Sequence, residues 1–345
     1  MMTRQGEGGA TSDGPRTEEF VRNCWYAVIL SRDVGRKPTQ TWILGMPIVL
    51  YRKLSNEVVA LRDVCPHRHA PLSLGTVVGD EIQCRYHGFQ FDSTGRCTRI
   101  PSEGVIPSAI RAEPIATAET LGFVWVWPGD TAKADQRLLL TFPWLDAPGF
   151  VSYYAGMVVE APLRLIIDNL MDLTHVHFVH TILGATNLVH ESEPMQAWEA
   201  RDHVMYRRAL KQRKSGSDSD QYSEIGGEFI PPSIVITSNV PKREGSDDIQ
   251  PGPMAQALHC LTPRTAHATT YLALRCWNVL TQPHEIAAIQ HQTDVTLAED
   301  KAIIEAQYRN RASAAAEERL VKSDLAAVMA RRVYERVLRI DQDTR

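Results

Sequence analysis

Two stretches of this 345-residue chain concentrate side chains that bind metals. The first runs from Asp168 to His180 and holds Asp168, Asp172, His175, His177 and His180 among apolar neighbours such as Leu170, Met171, Val176 and Phe178. Ionisable groups in such company are costly to bury unless they pair or bind a cation. On a helix, Asp168, Asp172 and His175 fall at i, i+4 and i+7 and share a face. His180 comes five residues after His175 and swings off that face. Both imidazoles can therefore grip one ion only if the helix ends or widens between them. A core helix whose polar groups satisfy one another is the competing reading.

The second stretch is Cys65-Pro66-His67, then sixteen residues, then Cys84-Arg85-Tyr86-His87. Zinc accepts two thiolates and two imidazoles, and is the first alternative. In ordinary zinc fingers, however, the cysteines sit together and the histidines sit together. One of each per loop suits a [2Fe–2S] cluster with cysteines on one iron and histidines on the other, the Rieske arrangement. Pro66, Pro71, Gly75 and Gly88 would let backbone wrap closely around such a cluster, and His67 and His87 would turn their iron toward the surface. His69 breaks the paired pattern and reads as a neighbour of the site. A mononuclear iron held by two histidines and a carboxylate activates O2. It needs electrons one at a time, and a Rieske cluster can deliver them. The two stretches thus account for each other.

The elements that must position these residues change character along the chain. From Asn23 to about Gly129, short runs rich in Val, Ile, Trp and Tyr predict antiparallel strands at Trp25–Leu30, Thr41–Tyr51, Val58–Arg62 and Gly122–Trp127. Residues 130–149 read as a connector, followed by the helix of the first stretch. Further strands are expected at Val204–Arg208, Ile234–Ser238 and Thr269–Trp277, with polar loops at Lys211–Ser223 and Pro241–Pro253. Beyond Pro283 the chain turns helical: His284 to about Gln307, then a helix N-capped by Ser323 with Leu325, Val328, Met329, Val333, Val337 and Leu338 on one face. The division is a tail at 1–20, a β domain at 21–145 and a mixed domain at 146–345, an α+β protein.

Bulk properties narrow the partners. A net charge of -4 gives no general basic field for nucleic acid or an anionic membrane. No apolar run approaches the length of a membrane span. Met1–Thr17 has no apolar core, so it reads as a disordered tail and not a signal peptide. The expectation is a cytoplasmic protein whose six cysteines stay reduced. Cys24, Cys97, Cys260 and Cys276 read as structural thiols.

Arg22-Asn23-Cys24-Trp25-Tyr26, the run Cys65 to Gly75, the run Ile167 to His175 and Leu297 to Asp300 resemble the Rieske non-haem iron oxygenases, in the branch of the vanillate and dicamba O-demethylases. The resemblance covers everything after the tail. It implies an N-terminal all-β Rieske domain with its [2Fe–2S] cluster on Cys65, His67, Cys84 and His87. It also implies a C-terminal helix-grip catalytic domain with an antiparallel sheet, and a mononuclear Fe(II) on His175, His180 and Asp300. Glu299 adjoins Asp300, and Asp294 and Glu305 lie on the same segment; helix geometry alone does not choose among them.

The resemblance further implies a head-to-tail homotrimer. In it Asp172 would accept hydrogen bonds from the His87 of a neighbouring copy and from its own His175, as an electron bridge. Asn169 is then a polar neighbour of the iron or a structural hydrogen-bonder. Asp168 either continues the bridge or holds the helix, and His177 is a packing histidine. Electrons would come from NADH through a separate flavin/iron–sulfur reductase. The reaction expected is hydroxylation of a small, carboxylated aromatic with O2. A methoxybenzoate such as vanillate would be O-demethylated, with formaldehyde released. Ring or side-chain hydroxylation of another aromatic acid or sulfonate is the alternative, and a pure electron carrier would leave the second half unexplained. Donors for a substrate carboxylate are His259 first, with Arg207, Arg208 and Arg275 also available.

Overall fold

The computed structural model describes residues 20–344 except 146, 181–187, 193, 215–220, 244, 246–247, 250–253, 279–281, 312 and 314–317. The expected tail lies outside the described residues but for Phe20, which is 6% exposed and packs into the β core. The first half contains β1 (Tyr26–Leu30), β2 (Thr39–Ile43), β3 (Met46–Arg52), β4 (Val58–Arg62), β5 (Thr76–Val78), β6 (Glu81–Gln83), β7 (Gln90–Phe91), β8 (Cys97–Arg99), β9 (Pro114–Thr120) and β10 (Phe123–Trp127). The second contains β11 (Val151–Val159), α1 (Leu163–Met171), α2 (Val176–Val179), β12 (Leu188–Ser192), β13 (Gln196–Ala200), β14 (His203–Lys214), β15 (Gln221–Ile230), β16 (Ile234–Pro241), β17 (Ala255–Thr265), β18 (Ala268–Trp277), α3 (Pro283–Arg311) and α4 (Leu325–Asp343).

In the first half, a six-stranded sheet in the order β1-β10-β9-β4-β3-β2 is accompanied by a four-stranded sheet, β5-β6-β7-β8. All of β10 is buried because both its faces are covered. Val124 and Val126 enter the β core, while Phe123, Trp125 and Trp127 pack against the second half. A strand buried on both faces reads as an unbroken apolar run. The predicted run Thr41–Tyr51 is two strands, because Leu44 and Gly45 take φ of 49° and 79° and turn the chain back.

In the second half, an antiparallel sheet in the order β11-β18-β17-β16-β15-β14-β12, with β13 also on β14, packs against α1, α3 and α4. Alternation along β17 and β18 sorts their residues. Leu258, Cys260, Leu272, Leu274 and Cys276 meet the tryptophans of the first half. His259, Tyr271, Ala273 and Arg275 point the other way, into a cavity beside α1 and α3. The chain belongs to the α+β class, with an N-terminal β unit and a C-terminal unit of helices packed on an antiparallel sheet.

Several local expectations are corrected. The Lys211–Arg213–Lys214 cluster is not loop: β14 runs through Lys214, paired on one side with β12 and on the other with β15, which resumes at Gln221. Strand β11, between the expected connector at 130–149 and α1, was not foreseen. Ser323 does not cap α4; it lies in a 3-10 turn, Lys322–Asp324, and the helix starts at Leu325. The fully buried part of α4 is Ala326, Ala327, Ala330, Val333 and Tyr334; Met329, Val337 and Leu338 of the expected face pack beside them, while Leu325 is 44% exposed. Small residues let α4 approach α1 closely. Residues 215–220 and most of 244–253 lie outside the described residues.

Candidate functional site

Helix α1 ends one turn before the sequence spacing suggests. Asp172 has φ -131° and ψ 96°, outside the helical region, so Asp168, Asp172 and His175 do not share one face. The break lies before His175 and not between the two histidines. A 3-10 turn, Leu173–His175, and the single turn of α2 then carry the chain to His180, whose φ of -93° and ψ of 79° end it. The groups left unpaired at this junction are satisfied locally. The Leu170 carbonyl accepts from Tyr206 Oη at 2.8 Å, and Asp172 Oδ1 accepts from the Thr174 N–H at 3.0 Å.

The junction fixes both imidazoles. His175 Nδ1 lies 2.7 Å from the Asp172 carbonyl, which can only accept, so Nδ1 carries the proton and Nε2 a lone pair. His180 Nδ1 lies 3.1 Å from Glu299 Oε2, and donation to that carboxylate likewise leaves its Nε2 bare. Both bare nitrogens face Asp300 Oδ1, at 3.3 Å from His175 and 3.4 Å from His180. Three acceptors converging on one point repel one another unless a cation sits among them. Among the described residues, His175, His180 and Asp300 are the group whose ligand atoms all lie within 4.8 Å of one another. Asn169 Nδ2 stands 3.5 Å from both His175 Nε2 and Asp300 Oδ1, beside this point.

The remaining residues of the stretch separate by role. Asp172 turns its carbonyl, and not its carboxylate, to its own His175, which corrects half of the expected bridge. Asp168 forms a two-pronged pair with Arg331 on α4, at 2.8 and 2.6 Å, and so holds α1 against α4. Burial raises its carboxyl above the usual range, and the Arg331 guanidinium opposes that rise. The His177 side chain lies outside what the structure describes. Asp294 bonds Tyr153 Oη, and Glu305 accepts from the Glu160 N–H, so both are committed away from the point of convergence.

The cysteine–histidine loops share one backbone design. The Cys65 N–H donates to the Ala70 carbonyl and the His69 N–H to the Cys65 carbonyl; the Cys84 N–H donates to Phe89 and the Gly88 N–H to Cys84. Each loop needs a left-handed residue four places after its cysteine. His69 supplies it with φ 57° and Gly88 with φ 72°. His69 is therefore a turn residue. Cys65 and Cys84 are buried, whereas His67 and His87 are exposed with ring centroids 4.6 Å apart. Burial pushes the Cys65 thiol up to about 11, and the backbone N–H groups of His67 and Arg68 act in the opposite sense. Sequence reasoning missed Asp63, which is buried and grips the first loop by accepting from the Ser73 N–H and hydroxyl, both at 2.6 Å. A carboxylate two residues before a ligand cysteine was the available signal.

A cavity of about 220 Å³ opens beside the second site, lined by His175, His180 and Asp300 together with His259, Tyr271, Arg275 and Thr293. His259 is buried with both nitrogens engaged, Nδ1 to Tyr271 Oη at 2.7 Å and Nε2 to Thr237 Oγ1 at 3.0 Å. Burial lowers it to about 4. A larger groove of about 700 Å³, mostly on the first half, is lined by Arg36, Arg52 and Lys53, paired with Asp80, Glu119 and Glu57, by Arg32, which donates to the Tyr154 carbonyl, and by no His, Cys, Asp or Glu.

Comparison with known proteins agrees with this anatomy. The Rieske [2Fe–2S] domain model matches residues 24–110, and the model of the vanillate O-demethylase oxygenase C-terminal domain matches residues 159–339. The oxygenase component of dicamba O-demethylase from Stenotrophomonas maltophilia is 29% identical over 340 residues, covering 93% of this chain and 99% of the relative. The vanillate O-demethylase oxygenase subunit of Pseudomonas sp. (strain HR199 / DSM 7063) is 31% identical over 346 residues, covering 94% and 96%. The crystal structure of dicamba monooxygenase bound to dicamba superposes with a TM-score of 0.82 at 28% identity, covering 94% of this chain and 99% of that one.

Proposed function

This chain belongs to the Rieske oxygenases that carry the vanillate O-demethylase oxygenase C-terminal domain, and from that premise we propose the following roles for its residues. It is an oxidoreductase, the oxygenase component of a system in which a reductase supplies electrons. Residues 21–145 form the cluster domain and 146–345 the catalytic domain. Cys65, Cys84, His67 and His87 would hold the [2Fe–2S] cluster, and its one-electron chemistry would feed the second centre. His175, His180 and Asp300 would hold Fe(II), which supplies O2 activation when bound. The observation that carries this is the convergence of three bare acceptor atoms within 4.8 Å. Glu299 holds the proton on His180 Nδ1 and the Asp172 carbonyl holds that on His175, so both rings present Nε2.

The substrate is a small aromatic acid. With a methoxybenzoate such as vanillate, one O2 oxygen enters the methyl group as a hydroxyl and the other leaves as water, with two electrons and two protons taken up. The hemiacetal then breaks its C–O bond to give the phenol and formaldehyde. The electrons come from NADH through a flavin/iron–sulfur reductase. They reach the iron across a head-to-tail trimer contact at Asp172. Exposed apolar groups beside both centres support that contact: Tyr86, next to His87, is 62% exposed, and Phe178, between the iron histidines, is 86% exposed. Chemistry on unmethylated aromatic acids or sulfonates is the second reading.

The deciding experiment supplies NADH and a compatible reductase and screens methoxylated and unsubstituted benzoates and benzenesulfonates. Formaldehyde equimolar with phenolic product is expected from at least one methoxybenzoate. Hydroxylated product without formaldehyde would replace O-demethylation with ring or side-chain hydroxylation.

A further inference from the structure

We propose that Arg275 is the anchor for the substrate's anionic group and sets a preference for aromatic anions over neutral aromatics of the same shape; this rests on the aromatic-oxygenase reading. Position comes first. Strand alternation turns Arg275 into the cavity that also exposes His175, His180 and Asp300, while its chain neighbours Leu274 and Cys276 pack on the opposite face. Arg207 bonds Gln196 and pairs with Glu224, and neither it nor Arg208 lines the cavity.

The guanidinium is poised and underused. Nη1 donates to Thr293 Oγ1 at 3.2 Å, and the Thr293 hydroxyl spends its own proton on the Ile289 carbonyl at 2.8 Å. The threonine is thereby fixed as an acceptor that aims the arginine. Asp294, the carboxylate next along α3, is taken by the Tyr153 hydroxyl, and no carboxylate pairs with Arg275 among the described residues. A guanidinium has five N–H donors in a rigid fork suited to a carboxylate or sulfonate. Withdrawn from water without an anion, that fork is costly, and a substrate anion would offset the cost.

Distance decides what fits. Thr293 and Asp300 are two turns apart on α3, about 10 Å along its axis at 1.5 Å per residue. The anion-binding end and the metal-binding end of the cavity are thus separated by roughly one substituted benzene ring. His259 is the other polar candidate, but it is hydrogen-bonded on both nitrogens and burial keeps it neutral, so it shapes the wall and supplies no charge.

The test is calorimetric binding to the iron-loaded oxygenase, with no turnover, using three probes: 4-hydroxy-3-methoxybenzoate, its primary amide, and the corresponding sulfonate. The wild-type protein should bind at least one anion on the order of 10-fold more tightly than the amide. Arg275→Gln should weaken that anion on the order of 10- to 100-fold, the range of a lost charge-assisted hydrogen bond. The amide should change by less than about threefold on the same scale. Arg275→Lys, which keeps the charge but not the fork, should recover part of the loss. The sulfonate arm tells which anion the fork prefers. Equal wild-type affinity for anions and amide, or equal weakening of all probes in Arg275→Gln, would overturn the proposal. Should Arg275→Gln fail to keep the cluster's visible spectrum, the wild-type ratio and Arg275→Lys decide. Failure of the oxygenase reading would instead show as absent O2 uptake with reductase while the binding preference persists.

Discussion

Glu299 and Asp300 show how two adjacent carboxylates acquire different work. On α3 they are about 100° apart, so only one can point at the histidine Nε2 atoms. Asp300 does, at 3.3 and 3.4 Å, while the longer Glu299 reaches around to the back nitrogen of His180 at 3.1 Å. Asp300→Ala should abolish mononuclear iron, read by metal analysis, with the Rieske spectrum unchanged. Glu299→Gln should keep the iron but weaken its affinity on the order of 10- to 100-fold, as loss of a group orienting a ligand usually does. Iron loss in Glu299→Gln as complete as in Asp300→Ala would exchange their roles.

At the scale of the element, the end of α1 at Asp172 makes the site. A continuous helix would hold His175 and His180 on different faces; the 3-10 turn ending at His175, the single turn of α2 and the non-helical exit at His180 bring both rings to Asp300, with centroids 5.5 Å apart. The helix must be anchored for that geometry to persist, and Asp168–Arg331 ties it to α4. Asp168→Asn removes one charge of a partly buried pair and should cost about 2 kcal/mol, read from the urea midpoint. If Asp168 only anchors, cluster-to-iron electron transfer per folded molecule should be unchanged. A normal midpoint with slowed transfer would return Asp168 to the electron route.

At the scale of the whole molecule, the two halves are joined through Trp25, Trp125 and Trp127 packed on β17 and β18. Asp341 near the end of α4 adds three bonds, accepting from the Arg22 and Asn23 backbone N–H groups and from Asn23 Nδ2. In the proposed trimer the exposed Tyr86 and Phe178 would be the two contact surfaces of each copy. Asp172→Asn isolates the proposed route between copies, because asparagine can still accept from the Thr174 N–H and keep the turn. It should retain both iron centres and the trimer by sedimentation, yet lose nearly all turnover. Near-normal turnover would remove Asp172 from the electron path.

The cysteine–histidine pairs, His175 and His180 stood out as candidate ligands from type and spacing, because a Rieske cluster and a facial iron draw on those residue types and little else. The β character of the first half and the helices of the last were legible from apolar period. What no periodicity contains is long-range placement. Asp300 lies 120 residues from His180, and only the packing of α3 beside α1 separates it from Glu299. Arg331 reaches Asp168 by the same kind of packing. The β14–β15 hairpin hid behind polar residues, since strands held by partners on both sides need no apolar run to be strands. Sequence by itself picked out the residues whose types suit a [2Fe–2S] cluster and a mononuclear iron, and so the chemistry to look for. Tertiary structure decided which carboxylate faces His175 and His180, where the helix breaks, and that Arg275, among several arginines, looks into the cavity. Those depend on side-chain direction across distant elements, which the order of residues does not encode locally.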